Sequence, residues 1–329
     1  MPADRNTHTD VPGPENILRR ELSNGIIVLA RANYHSPSVS ISGYLPAGSL
    51  FDRDETLGLA DFTASALMRG TNTFTFTQMY EKLEAVGAGL GFSGGTHTTS
   101  FSGRSLVEDL PMLLTLLADT LRHPTFPAKQ VEKLRAALLT SLDLQMQDSR
   151  DRAGLAFDET VYPHHPYGRP DEGWPETVRR IRRGDLKNFH RKHYGPRGVV
   201  IAVVGGIEPE KAAELVENAL GDWRNPGQPE PPALPDWQPL IERRDVRVSM
   251  PDKRQADLMI GTGGPRRASE DFLPAAIGNH ILGVFGLMGR LGDVLREQAG
   301  LAYYVYSSLG SSAGPGAWLA AAGVDPKDV

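Results

Sequence analysis

The sequence predicts an α+β fold built from two repeated α/β halves, the second of them incomplete. Three observations carry that reading. MYEKLEAVGAGLGFS (79–93) and DVLREQAGLAYYVYS (293–307) each read as a helix, a glycine stop and a strand. Between them RNPGQPEPPALPDWQPL (224–240) holds six prolines and reads as a stiff linker that cannot form regular structure. After the linker, strand and helix signals restart, but the chain reaches DPKDV without a closing strand–helix set. The expected organisation is a disordered leader over 1–16, a first domain over 17–223, the linker over 224–240, and a shortened second domain over 241–329.

Each element has its own signal. Residues 20–32 (RELSNGIIVLARA) form a hairpin around Asn24-Gly25, a type I′ turn signal between apolar runs. Residues 38–45 alternate and give a further strand, and 58–70 are helical, with Leu59, Phe62, Ala66 and Leu67 on one face. A second helix over 76–86 ends at Gly87, and 89–102 is a strand region rich in Gly, Ser and Thr. Long helices occupy 109–122 and 128–147, the latter with Val131, Leu134, Leu138 and Leu142 at helical spacing. The run VVIAVV (199–204) is a buried strand, followed by a helix over 209–223. In the second half a strand over 256–261, a helix from about Phe272 and the corner at 291–308 are expected. That corner places Val294 and Leu295 in an apolar stripe, Gly300 as a left-handed stop, and a strand covered on both faces.

Composition removes several function classes. A net charge of −5 and 23% charged residues describe a soluble globular chain. Its basic pairs Arg19-Arg20, Arg179-Arg180 and Arg182-Arg183 are scattered in sequence, so no nucleic-acid partner is expected. The absence of cysteine excludes disulfides, thiolate metal sites and cysteine nucleophiles. No apolar run is long enough to span a bilayer and no signal-type segment opens the chain, so no membrane partner and a cytoplasmic address are expected.

The chemistry-bearing residues concentrate at the 291–308 corner. Arg296 lies in the last helical turn and Tyr303 opens the strand seven residues later, so a guanidinium and a phenol can converge around the glycine. Both are donors and neither is a base near neutral pH, which suits a developing oxyanion. The alternative is a solvated helix-end charge beside a half-buried strand aromatic.

Asn279-His280-Ile281-Leu282-Gly283, Gly289-Arg290-Leu291, Leu295-Arg296-Glu297 and Gly300-Leu301-Ala302-Tyr303 together resemble the second half of the M16 (insulinase-like, pitrilysin, processing-peptidase-type) zinc peptidases. Asn24-Gly25, Gly58-Leu59-Ala60, Gly70-Thr71, His165-Pro166-Tyr167-Gly168, Gly205-Gly206 and 251–255 (PDKRQ) extend the resemblance over nearly the whole chain. The resemblance implies antiparallel-rich sheets with packed helices. It also implies that Arg296 and Tyr303 reach in trans to a substrate held at zinc in another half or subunit.

The family's metal motif is His-x-x-Glu-His in the helix between Gly58 and Thr71, two imidazoles one turn apart with a carboxylate to activate water. Here those positions read Asp61-Phe62-Thr63-Ala64-Ser65, and the downstream carboxylate ligand aligns at Thr140-Ser141, with Asp143 nearest. No metal is therefore expected in this chain, with Asp61, Ala64, Ser65 and Ser141 as the degenerate positions. His190 and His193, three apart, and His164-His165 read as surface or packing histidines rather than ligands. Gly94, Gly95 and Thr96 correspond to the family's substrate-pairing edge, which equally reads as a twisted, bulged strand edge. The segment 283–289 (GVFGLMG) corresponds to the family's glycine-rich loop.

The expected function is that of a catalytically incomplete subunit. It pairs with an M16 sister chain that bears zinc and intact His-x-x-Glu-His, and it supplies Arg296 and Tyr303 to an unstructured peptide substrate. The alternatives are a purely structural core subunit of a larger complex and an autonomous peptidase using Asp61.

Overall fold

The computed structural model describes residues 11–284 and 289–329. The first ten positions of the expected leader, and 285–288 of the glycine-rich segment, lie outside the described residues. Backbone proximity divides the chain into two compact units, 1–137 with 171–232, and 138–170 with 233–329.

The first unit is a six-stranded mixed sheet with helices. Its strands are β1 (Leu18–Glu21), β2 (Ile27–Ala32), β3 (Ser38–Leu45), β4 (Gly89–Ser93), β5 (Thr99–Leu106) and β6 (Val200–Gly205), in the order β1-β2-β6-β3-β5-β4. Only β2 and β6 run parallel, paired from Ile27 with Val200 to Ala32 with Gly205. The β1–β2 turn differs from the predicted type I′. Leu22 O accepts from Gly25 N–H at 2.9 Å, and of the two loop residues only Gly25 has positive φ (+88°). That is a type I turn closed by a left-handed glycine. Asn24 instead spends its amide on the Leu220 carbonyl at 2.8 Å, capping the helix Pro209–Leu220.

Helices α1 (Leu59–Ala66), α2 (Phe76–Ala85) and α3 (Leu110–Arg122) follow the predicted positions. Thr75 and Gln78 close a reciprocal capping box at the start of α2. Helix α4 (Ala128–Gln147) crosses the division between the units, and the chain continues into α5 (Ser149–Val161), α6 (Pro175–Arg180), α7 (Arg183–His193) and α8 (Pro209–Leu220).

The second unit holds an antiparallel sheet of β7 (Ala256–Gly263), β8 (Ala302–Leu309) and β9 (Ala317–Val324), ordered β7-β9-β8, with α9 (Phe272–Leu282). Residues 138–170 belong here rather than to the expected 17–223 domain, because α5 packs on β7 and Tyr162 Oη donates to Pro315 O at 2.8 Å. The internal repeat has a structural counterpart. Gly87 (φ +62°) precedes β4, which pairs antiparallel with β5, and Gly300 (φ +65°) precedes β8, which pairs antiparallel with β9. Among the described residues no helix is long and apolar enough to cross a membrane.

The proline tract is held more firmly than a free linker. Gln228 is buried and accepts from Arg197 N–H at 3.1 Å, while Trp237 Nε1 donates to Val161 O at 2.8 Å. The exposed coil lies just beyond it, at 241–249. Limited trypsin digestion is therefore expected to cut first at Arg243 or Arg244, read by N-terminal sequencing of the fragments. First cuts inside 224–240 would return the weak point to the tract itself.

Candidate functional site

The five motif positions sit on α1 with Phe62, Thr63 and Ala64 buried and Asp61 and Ser65 half-buried. Thr63 Oγ1 donates to Leu59 O at 2.7 Å, so its hydroxyl is consumed within the helix. Asp61 Oδ1 accepts from Gly94 N–H at 3.3 Å. Its carboxyl is pushed up to about 6, first by burial and then by the charge of Glu172, against the Gly94 amide. Ala64 offers no base, and Ser141, exposed on α4 beside Thr140, offers only a hydroxyl. One carboxylate and neutral hydroxyls do not fit zinc that needs two imidazoles, a carboxylate and a base. Among the described residues no three His, Asp or Glu side chains form a group able to hold a metal ion.

Asp61 carries a pH signature. A carboxyl with a raised folded pKa favours the folded state fully below its unfolded pKa and loses that contribution as pH rises through about 6. Asp61→Asn keeps the acceptor for Gly94 and removes the charge. Its stability gain over the parent chain is expected to grow between about pH 4 and pH 6 and then level off, measured by urea unfolding at several pH values. An equal gain at pH 4 and pH 7 would show that Asp61 titrates normally.

Arg296 stands on a π-helical segment, Gly292–Gln298, where an α-helix is predicted. The wider turn is visible in the bond from Ala299 N–H to Val294 O at 3.1 Å. Val294 is 50% exposed, so the expected apolar stripe reduces to Leu295, which packs on the cluster of Ala302, Val305 and Val324. Gly300 is left-handed as predicted, and Leu301 N–H returns to Leu295 O at 2.9 Å.

The strand then departs from simple alternation. Ala302 pairs with Val324 and Tyr304 with Gly323, so Tyr303 is the extra residue of a β-bulge. Ala302 before it and Val305 and Ser307 beyond it are buried, and Tyr303 is 61% exposed rather than covered. Its hydroxyl makes no hydrogen bond among the described residues. The Arg296 side chain is 44% exposed, with only a 4.0 Å approach to its neighbour Glu297. Both donors are thus presented outward from their own unit.

The predicted substrate edge resolves into two parts. β4 is the edge strand of the first sheet, while Gly94, Gly95 and Thr96 form the loop after it. Gly95 O and Thr96 O accept from Ser49 N–H and Leu50 N–H at 3.0 and 2.9 Å, and Thr96 Oγ1 donates to Asp171 at 3.0 Å. Glycine is required at 94 because a Cβ there would meet Asp61 Cα at 2.5 Å. These three residues therefore bind the loop to α1 and its surroundings, and the backbone open to an added strand is that of 89–93.

His165, His190 and His193 are packing groups, while His164 is exposed. His190 Nε2 lies 2.9 Å from Leu121 O, and the His193 ring stacks obliquely on Phe51 at 4.1 Å. Burial lowers both to about 4. His165 Nδ1 accepts from Tyr167 N–H at 3.1 Å, closing its own turn.

Sequence reasoning missed a polar cluster on the other face of β8. Arg150 of α5 lies over the rings of Tyr304 and Tyr306 at 5.0 and 5.1 Å and donates to Tyr306 Oη at 3.0 Å. Tyr304 Oη donates to Asp257 Oδ1 at 2.5 Å. Arg150 is more than 150 residues from its partners, and no local spacing reports such a contact.

Comparison with known proteins adds the wider context. Residues 27–172 match the profile described as "Insulinase (Peptidase family M16)", and 180–329 match "Peptidase M16 inactive domain". An uncharacterized zinc protease of Mycobacterium leprae is 28% identical over 92% of this chain and 67% of its own length. Subunit 1 of the mitochondrial cytochrome b-c1 complex of Mus musculus is 24% identical over 86% of this chain and 59% of its own. The crystal structure of a peptidase M16 inactive domain from Pseudomonas fluorescens superimposes with a TM-score of 0.84. It is 26% identical and covers 94% of this chain and 74% of that one.

Proposed function

We propose, from the premise that this chain belongs to the M16 (insulinase) peptidase family, that it is a catalytically incomplete subunit. It works beside a sister chain carrying zinc and intact His-x-x-Glu-His. The observation that carries this is the state of α1: Asp61, Ala64 and Ser65 stand where two imidazoles and a base are needed, and Asp61 is already bonded to Gly94. The outward Arg296 and Tyr303 support a role in trans, as donors to the substrate carbonyl when it develops negative charge at the sister's zinc. The open backbone of β4 supports pairing with an extended, unstructured peptide.

A second reading is a structural core subunit that cuts nothing, favoured by the likeness to the cytochrome b-c1 subunit. Two measurements decide among the readings. The purified chain alone is expected to hold no stoichiometric zinc and to leave an unstructured peptide intact. Mixed with an M16 chain of intact motif from the same source, it is expected to raise that chain's hydrolysis. Zinc near one equivalent with chelator-sensitive cleavage by the chain alone would overturn the proposal. Association without any gain in hydrolysis would favour the structural subunit.

A further inference from the structure

Two of the arginine pairs, Arg179-Arg180 and Arg182-Arg183, stand together with Arg135 in the first unit. Glu132, Arg135, Arg179, Arg180, Ile181, Arg182 and Arg183 line an open cleft of about 480 Å³. Five guanidinium groups face one carboxylate, a local excess of four positive charges in a chain whose net charge is −5. Such concentration against the overall charge focuses the field on one place.

Two of the cations are fixed. Arg135, with its side chain 13% exposed, bonds Glu132 through Nε and Nη2, donates from Nη1 to Val178 O at 2.5 Å, and lies over the Phe62 ring. Arg183 donates from Nε to Phe126 O at 2.5 Å and from Nη2 to Thr125 O at 3.2 Å. A guanidinium has five N–H groups, so each keeps donors to spare in a set position. Arg179 reaches Glu176 only at 3.9 Å, and the exposed Arg180 and Arg182 side chains have no carboxylate partner among the described residues. The nearby Asp185 carboxylate is occupied by Arg182 N–H at 2.7 Å.

We propose that this cleft binds a linked phosphate chain, as found in free pyrophosphate or in the phosphates of a nucleotide. All its cations are arginine, whose planar fork matches phosphate oxygens in pairs, and none is lysine. Each phosphate group brings about one to two negative charges, so two linked groups balance the excess. Ile181 is the one apolar lining residue and no aromatic is present, so there is no platform for a base. Recognition falls on the phosphates, and the proposal stands independently of any peptidase pairing.

Isothermal titration of the full chain at about 150 mM salt tests it with inorganic pyrophosphate, ATP without magnesium, and a glutamate-rich peptide. Pyrophosphate and ATP are expected to bind saturably at one site with affinities within a few-fold of each other. Arg180→Gln with Arg182→Gln is expected to weaken both at least tenfold while the thermal unfolding midpoint stays in place, since both side chains are exposed. Absence of saturable pyrophosphate binding would overturn the proposal, as would binding indifferent to the double substitution. Tighter binding of the glutamate peptide than of pyrophosphate would instead make the cleft a surface for acidic protein segments.

Discussion

In a complex with an M16 chain of intact motif, Tyr303→Phe is expected to lower kcat by about 10² to 10³, roughly 3–4 kcal/mol, without loosening the complex. The bulge at Tyr303 turns this residue out of the buried phase that Ala302, Val305 and Ser307 keep, so the phenol carries little of the unit's packing. The phenylalanine ring preserves what packing there is and deletes one donor. Arg296→Ala is expected to act in the same direction, and Arg296→Lys to rescue poorly, because a compact ammonium lacks the planar fork. Tyr306 is no control for this experiment, since Arg150 bonds its hydroxyl and stacks on its ring. Tyr80→Phe on α2 serves instead: its ring rests on Phe76 at 4.7 Å and its hydroxyl has no partner among the described residues. The measurement is single-turnover hydrolysis in a complex shown intact by gel filtration. An unchanged rate for Tyr303→Phe would make Tyr303 a surface residue and favour the structural subunit.

The parts of this fold that were legible in the sequence are those fixed by local backbone chemistry. Gly87 and Gly300 end their helices in the left-handed region where few other residues go, and both positions were readable from the apolar pattern before them. The strands β2, β3 and β6 carry β-branched or alternating apolar residues and fall within a residue or two of expectation. Strand β9, AWLAAAGV, lacks that signature and owes its existence to pairing on both sides with β7 and β8. Helix α5 was hidden because SRDRAGLAFDETV shows no clean apolar stripe, and its place in the second unit depends on contacts far along the chain. At the site, Asp61, Ala64 and Ser65 were legible as side chains that offer one carboxylate, one hydroxyl and no imidazole. What Asp61 does there was not, since its partner Gly94 lies 33 residues away. The bulge at Tyr303 was likewise invisible, because period-two alternation assumes a register that only the partner strand can break.

The largest loss of stability is expected at Phe62, on the same helix. Its ring is fully buried, and the Arg135 guanidinium lies over it at 5.2 Å. Phe62→Ala removes the ring's transfer free energy and leaves a cavity that the short helix Leu59–Ala66 cannot close by itself. The cost for such truncations is about 3–5 kcal/mol. Against a total stability of roughly 5–15 kcal/mol that is a large share. With roughly 2–4 °C per kcal/mol for a unit of this size, the unfolding midpoint should fall by about 6–20 °C in calorimetry. Phe62→Leu leaves a smaller void and should lose less. A loss below about 1 kcal/mol for Phe62→Ala would mean that α1 is not packed as described. The Asp61–Gly94 bond, made from the same helix, would then lose its support as well.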